Sequence, residues 1–265
     1  MVDNNSTDRT REVVDEAARL FQIPFRYALE LQQGLSHARN RGILEARGGI
    51  IGFCDDDQIP DPNWISVLWN GLRQFQADVV GGPLFPLWTE PPPAWLLNPK
   101  VQAHLGLLDR GDKPVVAQAS EQSFLFGGNV AFRRELFEEL GSYRADLGKA
   151  GSALQLGDDT EFLKRVLAAG KKVVYMPGAI MLHKVPPERM RLNYLRRWRY
   201  CSGKSYVRFS PGKWKRFPPW LIRECAASAL KALWNYGRGA VAEAIQNESL
   251  FWSQLGMLSQ LAKGA

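Results

Sequence analysis

The sequence predicts an α/β fold with a mainly parallel sheet, followed by a helical C-terminal region. Three observations predict it. Short apolar runs alternate with amphipathic helical patterns as far as Pro177, as strands feeding helices in a layered domain do. One run, Gly49 to Cys54 (GIIGFC), ends in three consecutive aspartates, the pattern of a buried strand reaching a ligand edge. From about Pro186 onward strand patterns cease and helical spacing remains.

In order, Thr10 to Phe21 carries apolar residues at helical spacing, with Ser6, Thr7 and Asp8 ahead of it as caps. Leu35 to Ala46 reads as a second helix, and Gly49 to Cys54 as the strand after it. PDPNWISVLWNGLRQF opens with prolines, which suit a first helical turn, and continues as an amphipathic helix. Asp78 to Gly82 is another short strand. Pro83 to Pro99 reads as a loop, with Trp88 and Trp95 packing locally rather than stacking on a sugar. QSFLFGG reads as a strand ending in the turn Gly127-Gly128-Asn129. RRELFEELG is a helix stopped by Gly141. DDTEFLKRVLAAG is a helix with an acidic first turn and a glycine stop, running into a strand over Lys171 to Pro177.

The 265 residues are 45% hydrophobic and 23% charged, which excludes a disordered or fibrous chain. No run of about 18 apolar residues occurs, and the first residues lack the pattern of a signal peptide. Cys54, Cys201 and Cys225 are too scattered for a disulfide framework or a zinc site. The expected location is the cytoplasm, with peripheral attachment to the inner face of the membrane as the alternative. Residues 1–182 hold 19 Lys+Arg against 23 Asp+Glu, whereas residues 183–265 hold 15 against 4. The chain therefore divides into a slightly acidic body, 1–182, and a basic helical region, 183–265. The basic part also carries Trp198, Trp214, Trp220, Trp234 and Trp252. It reads as helices packed on the body or as a surface for anionic membrane. No nucleic-acid-binding signature accompanies the charge, so nucleic acid is not an expected partner.

The chemistry lies at strand ends. Asp55, Asp56 and Asp57 offer hard oxygen ligands, which suit Mg²⁺ or Mn²⁺ shared with phosphates; a solvated acidic turn is the plain alternative. Asp158 and Asp159 open a helix, where capping is the plain alternative. A first-turn position lowers a carboxyl pKa, so a base there is expected to be ionised at neutral pH. Lys184, Arg189 and Arg191, just beyond His183, are candidate phosphate contacts, with a solvated basic face as the plain alternative. His37 and His104 read as a helix face and a loop without partners.

Four strings, VDNNSTDRT, GLSHARNRGILEARGGIIGFCDDDQIPDPNWI, FGGNVAFRRELFEELGSY and GDDTEFLKRVLAAGKKVVYMP, resemble in order and spacing the family 2 glycosyltransferases. The resemblance covers roughly residues 2–200 and implies a GT-A fold. It also implies an inverting transfer from a UDP- or GDP-linked sugar, with Mg²⁺ or Mn²⁺, to a sugar or lipid-linked acceptor. Such work belongs to cell-envelope polysaccharide or glycolipid synthesis. By the same resemblance Asp3, Arg39, Asp55 and Asp56 face the donor, and Asp57, with Asp55 and His183, holds the metal. Asp159 is the base, with Asp158 placing the acceptor, and Gly127, Gly128 and Asn129 line the acceptor side. The family carries a strand, a turn and a helix ahead of the first string, so a fragment or a misplaced start is expected. Tyr194-Leu195-Arg196-Arg197-Trp198 stands where processive members carry Gln-x-x-Arg-Trp, which implies single transfer. The alternatives are an inactive homologue that binds nucleotide-sugar or glycan, and a metal-dependent nucleotidyltransferase that would release pyrophosphate.

Overall fold

The computed structural model describes residues 1–118, 121, 124–149, 154, 156–210 and 218–263. In chain order the elements are β1 (Val2–Asp3), α1 (Thr10–Leu20), β2 (Ala28–Leu29), α2 (Leu35–Glu45), β3 (Ile50–Cys54), β4 (Gln58–Pro60) and α3 (Trp64–Gln74). There follow β5 (Val79–Gly81), β6 (Leu84–Trp88), β7 (Val115–Val116), β8 (Asn129–Arg133), α4 (Glu135–Leu140), α5 (Asp158–Ala168), β9 (Val173–Tyr175) and β10 (Met181–Val185). The helices α6 (Leu192–Arg208), α7 (Pro219–Gly237) and α8 (Val241–Leu261) complete the chain. Short 3₁₀ segments occupy Ala94–Leu97, Pro99–Leu105 and Pro187–Met190.

The α/β class and the helical C-terminal part are as expected. The strand pairing is a correction: the five-stranded sheet, in order β3-β8-β5-β9-β7, is mixed rather than mainly parallel. Only β5 and β9 pair in parallel in it, because β8 inserts between β3 and β5 and runs opposite to both. A three-stranded sheet, β4-β10-β6, and a parallel pair, β1-β2, stand beside it. Register carries the consequence for function. Cys54 lies opposite Asn129, so the Gly127-Gly128 turn sits against Asp55.

Alternation along the strands divides the core between two faces. Val79, Phe132, Val173 and Tyr175 join Phe137 of α4 and Phe162, Leu163 and Val166 of α5 on one side. Val80, Ala131 and Val174 join Leu68 and Leu72 of α3 on the other. Phe137 and Phe162 stack with centroids 4.9 Å apart and planes within 6°. Stacked aromatic pairs add about 0.5–1.5 kcal/mol beyond their area.

Three further expectations are corrected. The Pro83–Pro99 stretch holds β6 and a 3₁₀ turn; β6 is an edge strand, where Pro86 costs no central ladder bond. The strand expected over QSFLFGG starts at Asn129 instead; Gln122 and Ser123 lie outside the described residues, as does Trp214. The boundary expected at 182/183 falls inside β10, which belongs with the sheets.

The C-terminal helices are attached through Leu96, Val101, Leu105, Val185, Met190, Leu195 and Ile245. At α6 and α8 the backbones touch. A side chain on Gly203 would run into the Ser253 carbonyl, and one on Gly256 into that of Tyr200. His104 is buried among Trp95, Tyr194 and Trp198 rather than partnerless in a loop. Its Nδ1 lies 2.5 Å from the Val101 carbonyl and its Nε2 3.3 Å from that of Arg189. Burial pushes its pKa down to about 4 against the two carbonyl contacts. The unfolded chain, with an ordinary histidine, therefore takes up the proton first as pH falls from about 6.5 to 4. Protonation of that histidine in the unfolded chain is expected to cost the fold about 3 kcal/mol between pH 7 and pH 4. Urea unfolding at pH 7 and pH 4 tests this: His104→Gln should show a smaller loss than the parent chain by about that amount.

Candidate active site

The two acidic motifs meet around one buried arginine. Arg39 projects from α2, and its guanidinium donates to Asp158 Oδ2 at 2.6 Å and to Asp55 Oδ1 at 3.4 Å. Arg39 and Asp158 are both buried, each side chain 6% exposed. Arg39, expected to face the donor, is in this structure the internal counter-ion of the carboxylates. Asp158 likewise spends an oxygen on Arg39 rather than standing open to an acceptor.

Backbone geometry holds this arrangement. Ser36 Oγ donates to the Leu147 carbonyl at 2.6 Å, which fixes the start of α2 against the segment before α5. Gly148, at φ +89°, lies so close that a side chain would meet Ser36 Oγ at 2.5 Å and Asp158 Cγ at 3.3 Å. A side chain on Gly127 would sit 2.7 Å from the Arg39 guanidinium, and one on Gly128 2.5 Å from Asp55 Oδ2. Both glycines therefore pack directly against the charged groups. Asn129 is not. It is fully buried, donating to the carbonyls of Pro83 and Ala179 at 2.8 Å each and accepting from Trp64 Nε1 at 2.7 Å. With donors and acceptor spent on the residues leading into β6 and β10 and on α3, it ties the sheets together rather than lining an acceptor surface.

Asp159 is half-buried beside Asp158. Its Oδ2 accepts the Gly127 N–H at 3.1 Å and its Oδ1 the Thr160 N–H at 2.7 Å. Burial and the neighbouring Asp158 carboxylate push its pKa up, against Arg39 and the two backbone donors. The expected lowering by the helix N-terminus is thus overturned by desolvation and like charge.

Asp57 belongs to a second cluster. The Lys184 N–H donates to its carbonyl at 2.9 Å, which lays it beside β10 and His183. His183 Nε2 lies 3.2 Å from Asp57 Oδ2, and Arg189 donates to both, at 3.0 and 3.1 Å. Burial alone raises the Asp57 carboxyl, but His183 and Arg189 outweigh it and hold it below its ordinary value. A carboxylate and an imidazole nitrogen that share one cation in this way are a donor set that a divalent metal also fits. Asp55 and Asp57 face different partners here, and among the described residues no group of three metal-ligating side chains is assembled. Asp56 is exposed. Asp3 is buried, its oxygens accepting from the Ser6 N–H at 2.9 Å and the Tyr27 hydroxyl at 2.6 Å. Those bonds outweigh its burial and lower its pKa.

Arg39 Nε, Gln58 Oε1, the Tyr143 hydroxyl and His183 Nδ1 are buried without partners, and all belong to these two clusters or their borders. Unpaired buried polar groups are costly, so these four atoms are open to a polar ligand or to water. Sequence reasoning missed Gln58 and Tyr143; no spacing signals either.

The sequence profile described as Glycosyl transferase family 2 matches residues 1–141. Succinoglycan biosynthesis protein ExoM of Rhizobium meliloti is 25% identical over 209 residues, covering 78% of this chain and 63% of that protein. Glucosyl-dolichyl phosphate glucuronosyltransferase of Haloferax volcanii is 24% identical over 165 residues, covering 62% and 51%. The chain thus spans between half and two thirds of these relatives. Among solved structures, the mannosyltransferase PcManGT from Pyrobaculum calidifontis, in complex with GDP-Man and Mn²⁺, superposes with a TM-score of 0.56 at 19% identity. That match covers all of this chain and 65% of the other, and it shows the shared GT-A fold.

Removing one partner of a buried ion pair strands the other charge, typically at about 3–5 kcal/mol. Asp158→Ala is expected to lose about that much stability in denaturant unfolding, whereas Asp56→Ala should stay within about 0.5 kcal/mol of the parent.

Proposed function

The chain belongs to glycosyl transferase family 2, and from that premise we propose that it is an inverting, single-transfer glycosyltransferase. Its donor is a UDP- or GDP-linked sugar. Its acceptor is a hydroxyl on a sugar or a lipid-linked chain, in cell-envelope polysaccharide or glycolipid synthesis. The observation that carries the reading is the Gly127-Gly128 turn, which lies on Asp55 and donates to Asp159, so that a donor motif and a base border one space. The relatives named for succinoglycan and dolichyl phosphate support the acceptor class, and the GDP-Man and Mn²⁺ of the solved neighbour support the donor and metal.

Asp159 takes the proton of the acceptor hydroxyl. Its raised pKa makes its ionised form a stronger base than an ordinary carboxylate, and two backbone donors fix its orientation before substrate arrives. The hydroxyl oxygen bonds to the anomeric carbon on the face opposite the nucleotide. The bond to the diphosphate oxygen breaks, and its electron pair leaves with the nucleoside diphosphate. Asp57 and His183, with Asp55, would hold Mn²⁺ or Mg²⁺, which supplies positive charge for the leaving diphosphate. Arg189 brings a further cation to the same side.

Two measurements test this. Calorimetry of UDP and GDP should show tighter binding when Mn²⁺ is present, and Asp57→Asn should abolish that gain; metal-independent binding would remove the metal assignment. Asp159→Asn should lower turnover by roughly 10²–10⁴-fold with little change in donor affinity. Release of nucleoside diphosphate, not pyrophosphate, identifies sugar transfer. Donor binding without turnover in the parent chain would establish the inactive binder instead.

A further inference from the structure

Helix α7 is apolar on the wrong side. The line it buries consists of Leu221, Cys225, Ser228, Ala232 and Asn235, mostly small or polar. Its large apolar residues point outward: Leu230 and Leu233 are each 67% exposed and Trp234 74%, with Ile222 and Trp220 about half exposed. Spaced three and four apart, Ile222, Ala226, Leu230 and Leu233 form one stripe opposite the buried line, with Trp234 beside it. An outward stripe of this kind needs a cover.

Charge selects the cover. Arg223, Lys231 and Arg238 are exposed along α7 and its C-terminal turn, against a single acidic residue, Glu224. The surrounding region, 183–265, holds 15 basic and 4 acidic residues. A second copy docked on the same face would bring these cations together. An anionic lipid surface pairs with them and accepts the apolar stripe at the same time. Among the described residues no helix is long and apolar enough to cross a membrane, so the geometry is that of a helix lying flat. At 19 residues α7 is about 28 Å long. Trp220 and Trp234 stand near its ends, where amphipathic rings favour the headgroup layer.

We propose that the outward face of α7 docks on an anionic membrane surface, with Ile222, Leu230, Leu233 and Trp234 entering the headgroup boundary and Arg223 and Lys231 meeting lipid phosphates. The proposal is independent of the transfer reaction. Flotation of the full chain with phosphatidylcholine vesicles, with and without phosphatidylglycerol, tests it. The parent should bind the anionic vesicles, bind neutral ones poorly, and be released as salt rises. Leu230→Ser with Trp234→Ser should weaken anionic binding roughly tenfold or more. Arg223→Gln with Lys231→Gln should weaken it roughly fivefold per charge while leaving the melting temperature unchanged. The second pair carries the test if the first disturbs folding. Absent vesicle binding, or binding that neither pair alters, would overturn the proposal. So would a dimer in sedimentation velocity that Leu230→Ser with Trp234→Ser dissociates, since the face would then be an interface between copies.

Discussion

One guanidinium holds the candidate active site together. Arg39 lies between Asp55, at the end of β3, and Asp158, at the start of α5, and is buried with the latter. A charge in such a place is tolerable only when paired, and three carboxylates, Asp55, Asp158 and Asp159, gather near it. The tightness of its surroundings follows. Gly127 must lack a side chain because the guanidinium lies beneath it, and Gly148 must lack one because Ser36 and Asp158 close over it. The Gly127 N–H is thereby left facing Asp159. The orientation of the expected base is thus set partly by a residue on another helix that never touches it through a hydrogen bond.

This also separates two kinds of carboxylate that look alike in the sequence. Asp158 and Asp159 are neighbours, yet one neutralises Arg39 and the other is held by backbone donors with its pKa raised. Asp55 and Asp57 are two residues apart, yet one faces Arg39 and the other faces His183 and Arg189. Each acidic motif gives one member to Arg39 and leaves the other with different partners.

Much of the fold was legible because its signals are local. The strand before Asp55, the helix starting at Asp158 and the glycine stop at Gly141 each follow from neighbouring residues and are formed, although β3 is an edge strand with only Ile51 buried and no side chain caps α5. What was not legible depends on distant pairing. The direction of β8, the strand hidden in the Pro83–Pro99 stretch and the clamp made by Asn129 are decided by partners far along the chain. The same holds for charge. A first-turn carboxylate read alone should ionise easily, and only the fold reveals the partial burial of Asp159 and what stands beside it. His104 was opaque for the same reason, since its aromatic neighbours come from two separate segments.

The contact of Gly203 and Gly256 with opposing carbonyls has a mechanical consequence. Where side chains set the spacing of two helices, small rotations are absorbed by rotamer changes. Between α6 and α8 the spacing is set by main chain against main chain, which has no such compliance. Turning either helix by one residue would drive a Cβ into a carbonyl, so their rotational register is keyed rather than adjustable. Loads applied at the far end of the chain therefore reach the segment holding Arg189 through a rigid joint.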